Sequence, residues 1–379
     1  MARTARLVLG AMLALTAAFP LVSNAQSGRS NTQSFALYAM TNSAEKNEVI
    51  SFTPNSGGQL QEFHRFPTGG RGSGGVTDPL ESQGSLTLSE NGELLFAVNA
   101  GSGDITVFRV HGPVLSPIDR VPSGGSAPNA VAQHGNLVFV LNAGPGNNVT
   151  GFLLEPSGHL KRIENSTASL TVNSSRAGSL AFSPDGRILL VTEKATDRID
   201  AFRVNTDGTL APVVVTSSVG PGLFAVVFAP NGTVIASETG PAGQGNNSAL
   251  SSYALAGDGT LSPISSSIPT AGAATCWQVV TPSGRFVYTA NSATSTISGF
   301  AIGTDGSLTA LPGTVVATLT PGATNLDIAI SSDGRFLYTL NSGIGTISVF
   351  GVNQDGTLTP VGDISGLSAA AGFNGIAAR

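Results

Sequence analysis

Apolar and polar positions alternate along the chain in units that recur about every 50 residues. The segment FSPDGRILLVTEKATDRIDAFRVNTDGTL (182–210) returns as VTPSGRFVYTANSATSTISGFAIGTDGSL (280–308) and ISSDGRFLYTLNSGIGTISVFGVNQDGTL (330–358). Weaker copies begin near Leu88, Val131 and Phe228, with a partial one at Phe35. Each copy predicts four strands. Strand a is short and rich in small residues (GSLAFS, 178–183), and a Gly-containing turn follows it. Strand b is an unbroken apolar run (RILLVT, 187–192), which implies burial on both faces. Strand c alternates (ITVFRV, 105–110), and its looser successor, strand d, suits an outer edge. The c–d connections carry Asp-Gly at 207–208, 258–259, 305–306 and 355–356, with Ser157-Gly158 and Gly57-Gly58 as looser versions. Asp-Gly between alternating runs predicts a two-residue hairpin with both residues at positive φ.

Two columns fix the register. A polar residue ends strand b: Asn42, Asn99, Asn142, Glu193, Glu238, Asn291, Asn341. An aromatic marks strand c: Phe52, Phe108, Phe152, Phe202, Tyr253, Phe300, Phe350. Seven four-stranded units with a doubly buried strand predict an all-β, seven-bladed β-propeller with four antiparallel strands per blade. The first copy lacks strand a, while the surplus NGIAAR (374–379) matches strand-a openings elsewhere. The C-terminal strand is therefore expected to complete blade one and close the ring.

Composition narrows the rest. Only 11% of residues are charged, Gly supplies 48 of 379, and the formal net charge is -5. An acidic chain without a basic stripe is not a nucleic-acid binder. A single cysteine excludes an internal disulfide and a cysteine-based zinc cage. Residues 1–25 read as a cleaved signal peptide: Arg3 and Arg6, then an apolar run from Leu7 to Val22, then Ser23-Asn24-Ala25. Residues 26–34 are expected to be a flexible N-terminus and 35–379 the propeller. The mature protein is expected to be secreted or periplasmic, monomeric, and without stable membrane insertion.

The order SPDG, apolar run, T/N-x-I-x-x-F-x-V-x-x-DG-T/S-L resembles the lactonase-type seven-bladed propellers, the family of bacterial 6-phosphogluconolactonases and carboxymuconate-lactonising enzymes. The resemblance spans residues 35–379. It implies a small-molecule lactone substrate handled at the channel mouth, where the b–c loops and the entries to strand a lie. The family's His and Arg-His at strand-a starts are departed from: Phe224-Ala225 stands for the pair, and only Arg176 remains in SSRAGSLAFSPDG (174–186).

The candidate residues follow from this face. Arg176, Glu193, Glu238 and Asp327 are the catalytic candidates. Glu193 and Glu238 interrupt the Asn column on adjacent blades, as an acid/base pair, a cation grip, or loop acids paired with Lys194 or Arg176. Trp277, the sole Trp, either stacks on a sugar face at the channel, plugs the channel, or packs between blades. Asn129, Asn325 and Asn374 recur at strand-a starts, as ligand contacts or turn caps. The Gly-rich TGGRGSGG (68–75) lacks the Lys-Ser/Thr of a phosphate loop and reads as a long inter-blade loop. All four His fall away from the mouth, and no metal or cofactor is expected. A negative rim disfavours a phosphorylated substrate, so the expected ligand is a neutral lactone; the competing reading is a non-catalytic propeller that binds a glycan or a protein partner.

Overall fold

The computed structural model describes residues 36–56, 59–241 and 247–379, together with Met1. The expected signal peptide, the expected flexible N-terminus and the turn expected at Gly57-Gly58 lie outside the described residues. No helix among the described residues is long and apolar enough to cross a membrane.

Seven antiparallel sheets form the propeller, each ordered a-b-c-d. Blade one takes strand b from Leu37–Met40, c from Glu48–Pro54 and d from Leu60–Pro67. Its strand a is Ile376–Ala378, with Tyr38 paired to Ala377 and Ala39 to Ile376. The ring is closed as the repeat arithmetic required. Blades two to seven follow in chain order. Blade three differs at its outer edge, where Leu160–Arg162 and Ala168–Ser169 both pair with strand c.

Strand b is buried on both faces because the sheets stack around the ring. In blade four, Ile188–Glu193 is buried along its whole length. The strand-c aromatics are at most 5% exposed and fill the space between blades. At the c–d turns, the expectation of two positive-φ residues is corrected. Only the Gly is left-handed, as at Gly208 (φ 79°) and Gly356 (φ 86°). The Asp contributes its carboxylate: Asp207 Oδ1 accepts the Thr209 N–H at 2.9 Å and its hydroxyl at 2.6 Å. These bonds hold the Asp207 carboxyl below its ordinary range. The turn is a side-chain-capped loop rather than a bare two-residue hairpin.

The backbone also repeats at the entry to strand a. Ala127, Arg176, Gly222, Ala274 and Thr324 each precede that strand, and each has positive φ (44° to 76°). The left-handed conformation of Arg176 therefore belongs to blade architecture. It is not strain peculiar to one site.

Candidate functional site

The polar column at the end of strand b lies beneath the connectors that lead from one blade to the next. In blade six Asn291 donates to Thr296 (3.0 Å) and Ser298 (2.8 Å) on strand c, and accepts from Thr275 on strand a. Ser298 passes its own proton to the carbonyl of Thr270 in the connector. Blade two repeats the scheme with Asn99, Thr106 and Thr68. The column is thus a set of latches tying strands to connectors. A Gly in the connector presses on the latch: a Cβ at Gly272 would stand 2.3 Å from the Asn291 side chain. Close approach, not loop softness, explains that glycine.

Glu193 and Glu238 occupy the same latches in blades four and five, and both are buried. Glu193 accepts from the Thr171 N–H (2.7 Å), the Thr171 hydroxyl and the Thr196 hydroxyl (2.9 Å). Glu238 accepts from Ser251 (2.6 Å), Ser267 (2.7 Å) and the Gly220 N–H (3.0 Å). Neither is a solvated loop acid, and neither ion-pairs with Lys194 or Arg176. Asp200 lies beside Glu193, at the place of Ser298 in blade six. It is fully buried, and both its oxygens lack hydrogen-bond partners. Burial first, then the neighbouring Glu193 charge, pushes its carboxyl up to about 7.

The mouth itself is crossed by a segment whose destination the repeat could not reveal. Residues 76–83, from the connector between blades one and two, reach blades one, three, four and six. Val76 accepts from Gly372, and Asp78 from the Asn374 amide (3.2 Å), both just ahead of blade one's closing strand. Ser82 donates to the Asn129 carbonyl of blade three at 2.8 Å. Gln83 accepts from Gln278 N (3.0 Å) and donates to Gln278 O (2.8 Å) in blade six, while its own N–H meets Gly178 O of blade four (2.9 Å). The only sequence sign of this crossing is the step from Asn42 to Asn99, 57 residues, the longest in the column.

Trp277 is 1% exposed, packs edge-on to Phe224 (4.9 Å between centroids), and donates its indole N–H to Ser82 O at 2.8 Å. It holds the crossing segment. Asp327 is buried and accepts from Ile328 N (3.0 Å) and Ile376 N (3.1 Å), so it fastens the closing strand to blade seven. Burial pushes its carboxyl up to about 7 against those two bonds. Asn129 and Asn325 send their amides to Ala177 O and Thr296 O, ties across blade boundaries.

The charges that face the mouth are Glu81, Arg176 and Lys194. Arg176 and Lys194 (3.2 Å) converge on Glu81 Oε2, and Lys194 also donates to the Glu81 carbonyl. Lys194 lies over the Phe224 ring at 4.8 Å, and its side chain is 8% exposed. That burial lowers its affinity for a proton, although Glu81 opposes the effect. Burial raises the Glu81 carboxyl, but the guanidinium and the ammonium outweigh it and hold it below its ordinary value. Asp78, in the same segment, is pushed by burial up to about 7. A cavity of about 240 Å³ opens beside these groups, lined by Ser73, Glu81, Ala143, Arg176, Lys194 and Asn129 among others. Thus Arg176 and Asn129 share a pocket, while Glu193, Glu238 and Asp327 lie in buried framework positions. Among the described residues no three His, Cys, Asp or Glu are grouped to hold a metal ion.

The family model for the seven-bladed β-propeller lactonases matches residues 34–172 and 74–238. The chain belongs to the lactonase family of seven-bladed β-propellers. Solved structures share the fold of this lactonase-family chain at low identity. The periplasmic gluconolactonase of Pseudomonas aeruginosa superposes with a TM-score of 0.66 at 18% identity, covering 91% of this chain and 98% of that one. A candidate 6-phosphogluconolactonase of Bacteroides fragilis gives 0.64 at 18% identity, over 92% and 99%. A protein of unknown function from Desulfotomaculum acetoxidans gives 0.69 at 15%, over 91% and 98%. Among curated proteins none matches the sequence.

Proposed function

We propose that this lactonase-family propeller is exported and hydrolyses a small neutral lactone in the pocket beside Arg176 and Lys194. The observation that carries the reading is the pair of cations, Arg176 and Lys194, lining one small cavity at the mouth, with the raised carboxyl of Asp78 three residues before the lining Glu81. Arg176 and Lys194 polarise the lactone carbonyl and stabilise the oxyanion that forms on it. Asp78, which feels the charges of Lys194 and Glu81 from behind the cavity lining, is the proposed acceptor of a proton from the attacking water. The ring C–O bond then breaks, the ring oxygen takes up that proton, and the hydroxy acid leaves, giving its carboxyl proton to solvent as it becomes the hydroxycarboxylate. Of the four residues expected from sequence to carry catalysis, Arg176 has the direct role here. Glu193, Glu238 and Asp327 act through the framework, and Trp277 and Asn374 hold the segment that bears Asp78 and Glu81.

Export is supported by the signal-like residues 1–25 and by the periplasmic relative in Pseudomonas aeruginosa. A neutral substrate is supported by the acids Asp78 and Glu81 standing beside the two cations, which leaves little net charge for a phosphate dianion. The test is a pH-stat assay of D-glucono-1,5-lactone with the purified protein. Acceleration over the spontaneous rate is expected, with Lys194→Met lowering it by about a hundredfold and 6-phosphogluconolactone the poorer substrate. A non-catalytic mouth is the second reading, favoured by a crossing segment whose one exposed acid, Glu81, is already ion-paired. A rate equal to the spontaneous one would establish it.

A further inference from the structure

The cations of the mouth already hold a carboxylate, and it is the protein's own. We propose that Arg176, Lys194 and Asn129 form a binding site for a small hydroxycarboxylate, which Glu81 fills from within until such a ligand displaces it. The inference deepens the reading of this pocket given above and rests on it.

Three observations carry the argument. First, Glu81 sits where a ligand carboxylate would. Arg176 and Lys194 reach the same oxygen, Oε2, and Lys194 also reaches the main-chain carbonyl. A guanidinium beside an ammonium is a strong carboxylate receptor.

Second, Glu81 can leave at little cost. Its side chain is 47% exposed and that of Arg176 is 63% exposed, and such ion pairs contribute about 1 kcal/mol or less. The rest of the crossing segment is held by groups other than Glu81: the Trp277 indole on Ser82, Gln278 on Gln83, and Asn374 on Asp78. The Glu81 side chain can therefore swing out while residues 82–83 stay docked. Lys194 cannot follow it into solvent, because its side chain is 8% exposed and its ammonium is held over the Phe224 ring.

Third, the same pocket contains an acceptor without a donor. Asn129 is 2% exposed and lines the cavity; its amide N–H is spent on Ala177 O, and its Oδ1, closed off from solvent, has no hydrogen-bond partner, as is also true of the matching Asn325 and Asn374. Turned into the cavity as Glu81 leaves, such an acceptor would take a hydroxyl donor. Carboxylate on the cations and hydroxyl on Asn129 describe one chemical class, the open-chain acid that a lactone yields on hydrolysis. The cavity, about 240 Å³, is smaller than sites for drug-sized ligands, which start at roughly 300 Å³.

The experiment is calorimetric titration of the purified protein with sodium D-gluconate, D-glucitol and sodium acetate, alongside Trp277 fluorescence. Gluconate is expected to bind, acetate to bind more weakly for lack of the hydroxyl, and glucitol not at all. Glu81→Gln removes the internal competitor without changing its shape, so gluconate affinity should rise by about tenfold. Lys194→Met should abolish binding, and if that variant does not fold, the exposed Arg176→Gln serves in its place. Gluconate should also shift the Trp277 emission, since the indole is bonded to the residue following Glu81. Unchanged gluconate affinity in Glu81→Gln, or glucitol binding as well as gluconate, overturns the proposal. Gluconate binding with no lactone hydrolysis would leave it standing and remove the catalytic reading alone. Hydrolysis without gluconate binding would do the reverse.

Discussion

Blades four and six carry the same latch on the same backbone and satisfy it with opposite chemistry. In blade six, Asn291 both donates and accepts, and Ser298 relays a proton to the connector carbonyl. Every group in that chain is neutral, so the latch is indifferent to pH. In blade four, Glu193 stands for the Asn and Asp200 for the Ser. Glu193 is satisfied by Thr171 and Thr196, which leaves the buried Asp200 carboxyl beside a second carboxyl with no donor of its own. Burial and the neighbouring Glu193 charge raise the Asp200 carboxyl to about 7, so it gains a proton well above the ordinary carboxylate range. The contrast shows that the repeat keeps the latch position without keeping the direction of its bonds: Asn291 donates to strand c in blade six, whereas in blade five Ser251 of strand c donates to Glu238.

The comparison can be attacked from either blade. The largest effect is expected from Asn291→Asp, which imports the acid of blade four into blade six without a second carboxyl to share a proton. The new oxygen would face the Ser298 hydroxyl, whose proton is committed to Thr270 O. A loss of about 2–4 kcal/mol is expected in urea denaturation at pH 7; an unchanged midpoint would mean that the latch does not depend on its donor.

Next in size is the pH dependence of the native protein. Asp78, Asp200 and Asp327 are each raised to about 7 in the fold, against about 3.8 for an ordinary Asp. Between these values the folded state binds more protons than the unfolded chain, so stability falls as pH rises. The melting temperature should therefore drop from pH 5 to pH 8 and level off above. A melting temperature that climbs over that interval would refute the assignment.

Asp200→Asn gives blade four an amide donor of the same shape. It should raise the melting temperature at pH 8, change it less at pH 5, and so flatten the slope. Equal shifts at both pH values would separate Asp200 from the titration. The smallest effect is expected from Glu81→Gln, which breaks a half-exposed ion pair at the mouth rather than a buried latch. Its stability should stay within about 1 kcal/mol of the native protein, measured in the same denaturation experiment.

Much of the fold could be read from the chain because blade geometry repeats in sequence. The doubly buried strand b, the strand-c aromatics and the surplus NGIAAR each have one physical explanation. The site was less legible for two reasons. Glu193 and Glu238 stand out as breaks in an Asn column, yet nothing in the period says that the column lies under the connectors. Their partners, Thr171, Ser251 and Ser267, come from other strands and connectors whose approach is set by packing. The segment at 76–83 is a departure from the repeat, and a departure carries length but no direction. Its extra residues could be counted, while its contacts with Trp277, Gln278 and Asn129 follow only from the closed ring. Asp200 escaped notice because an Asp in the Ser/Thr slot of strand c looks like an ordinary polar neighbour until Glu193 is found beside it.

The closing strand Ile376–Ala378 also sets an order in time. As the chain emerges during synthesis, strands b, c and d of blade one come first, but the partner of Leu37–Met40 comes after all six other blades. Blade one must wait with its inner edge unpaired. Blades two to seven each contain their own four strands and can pair as soon as they appear. The molecule is therefore an open arc for most of its synthesis, and it becomes a ring in a single late event. A chain that stops short of Ile376 would keep a free strand edge at its centre. Its neighbour in a crowded compartment would meet an invitation to pair that the finished protein never extends.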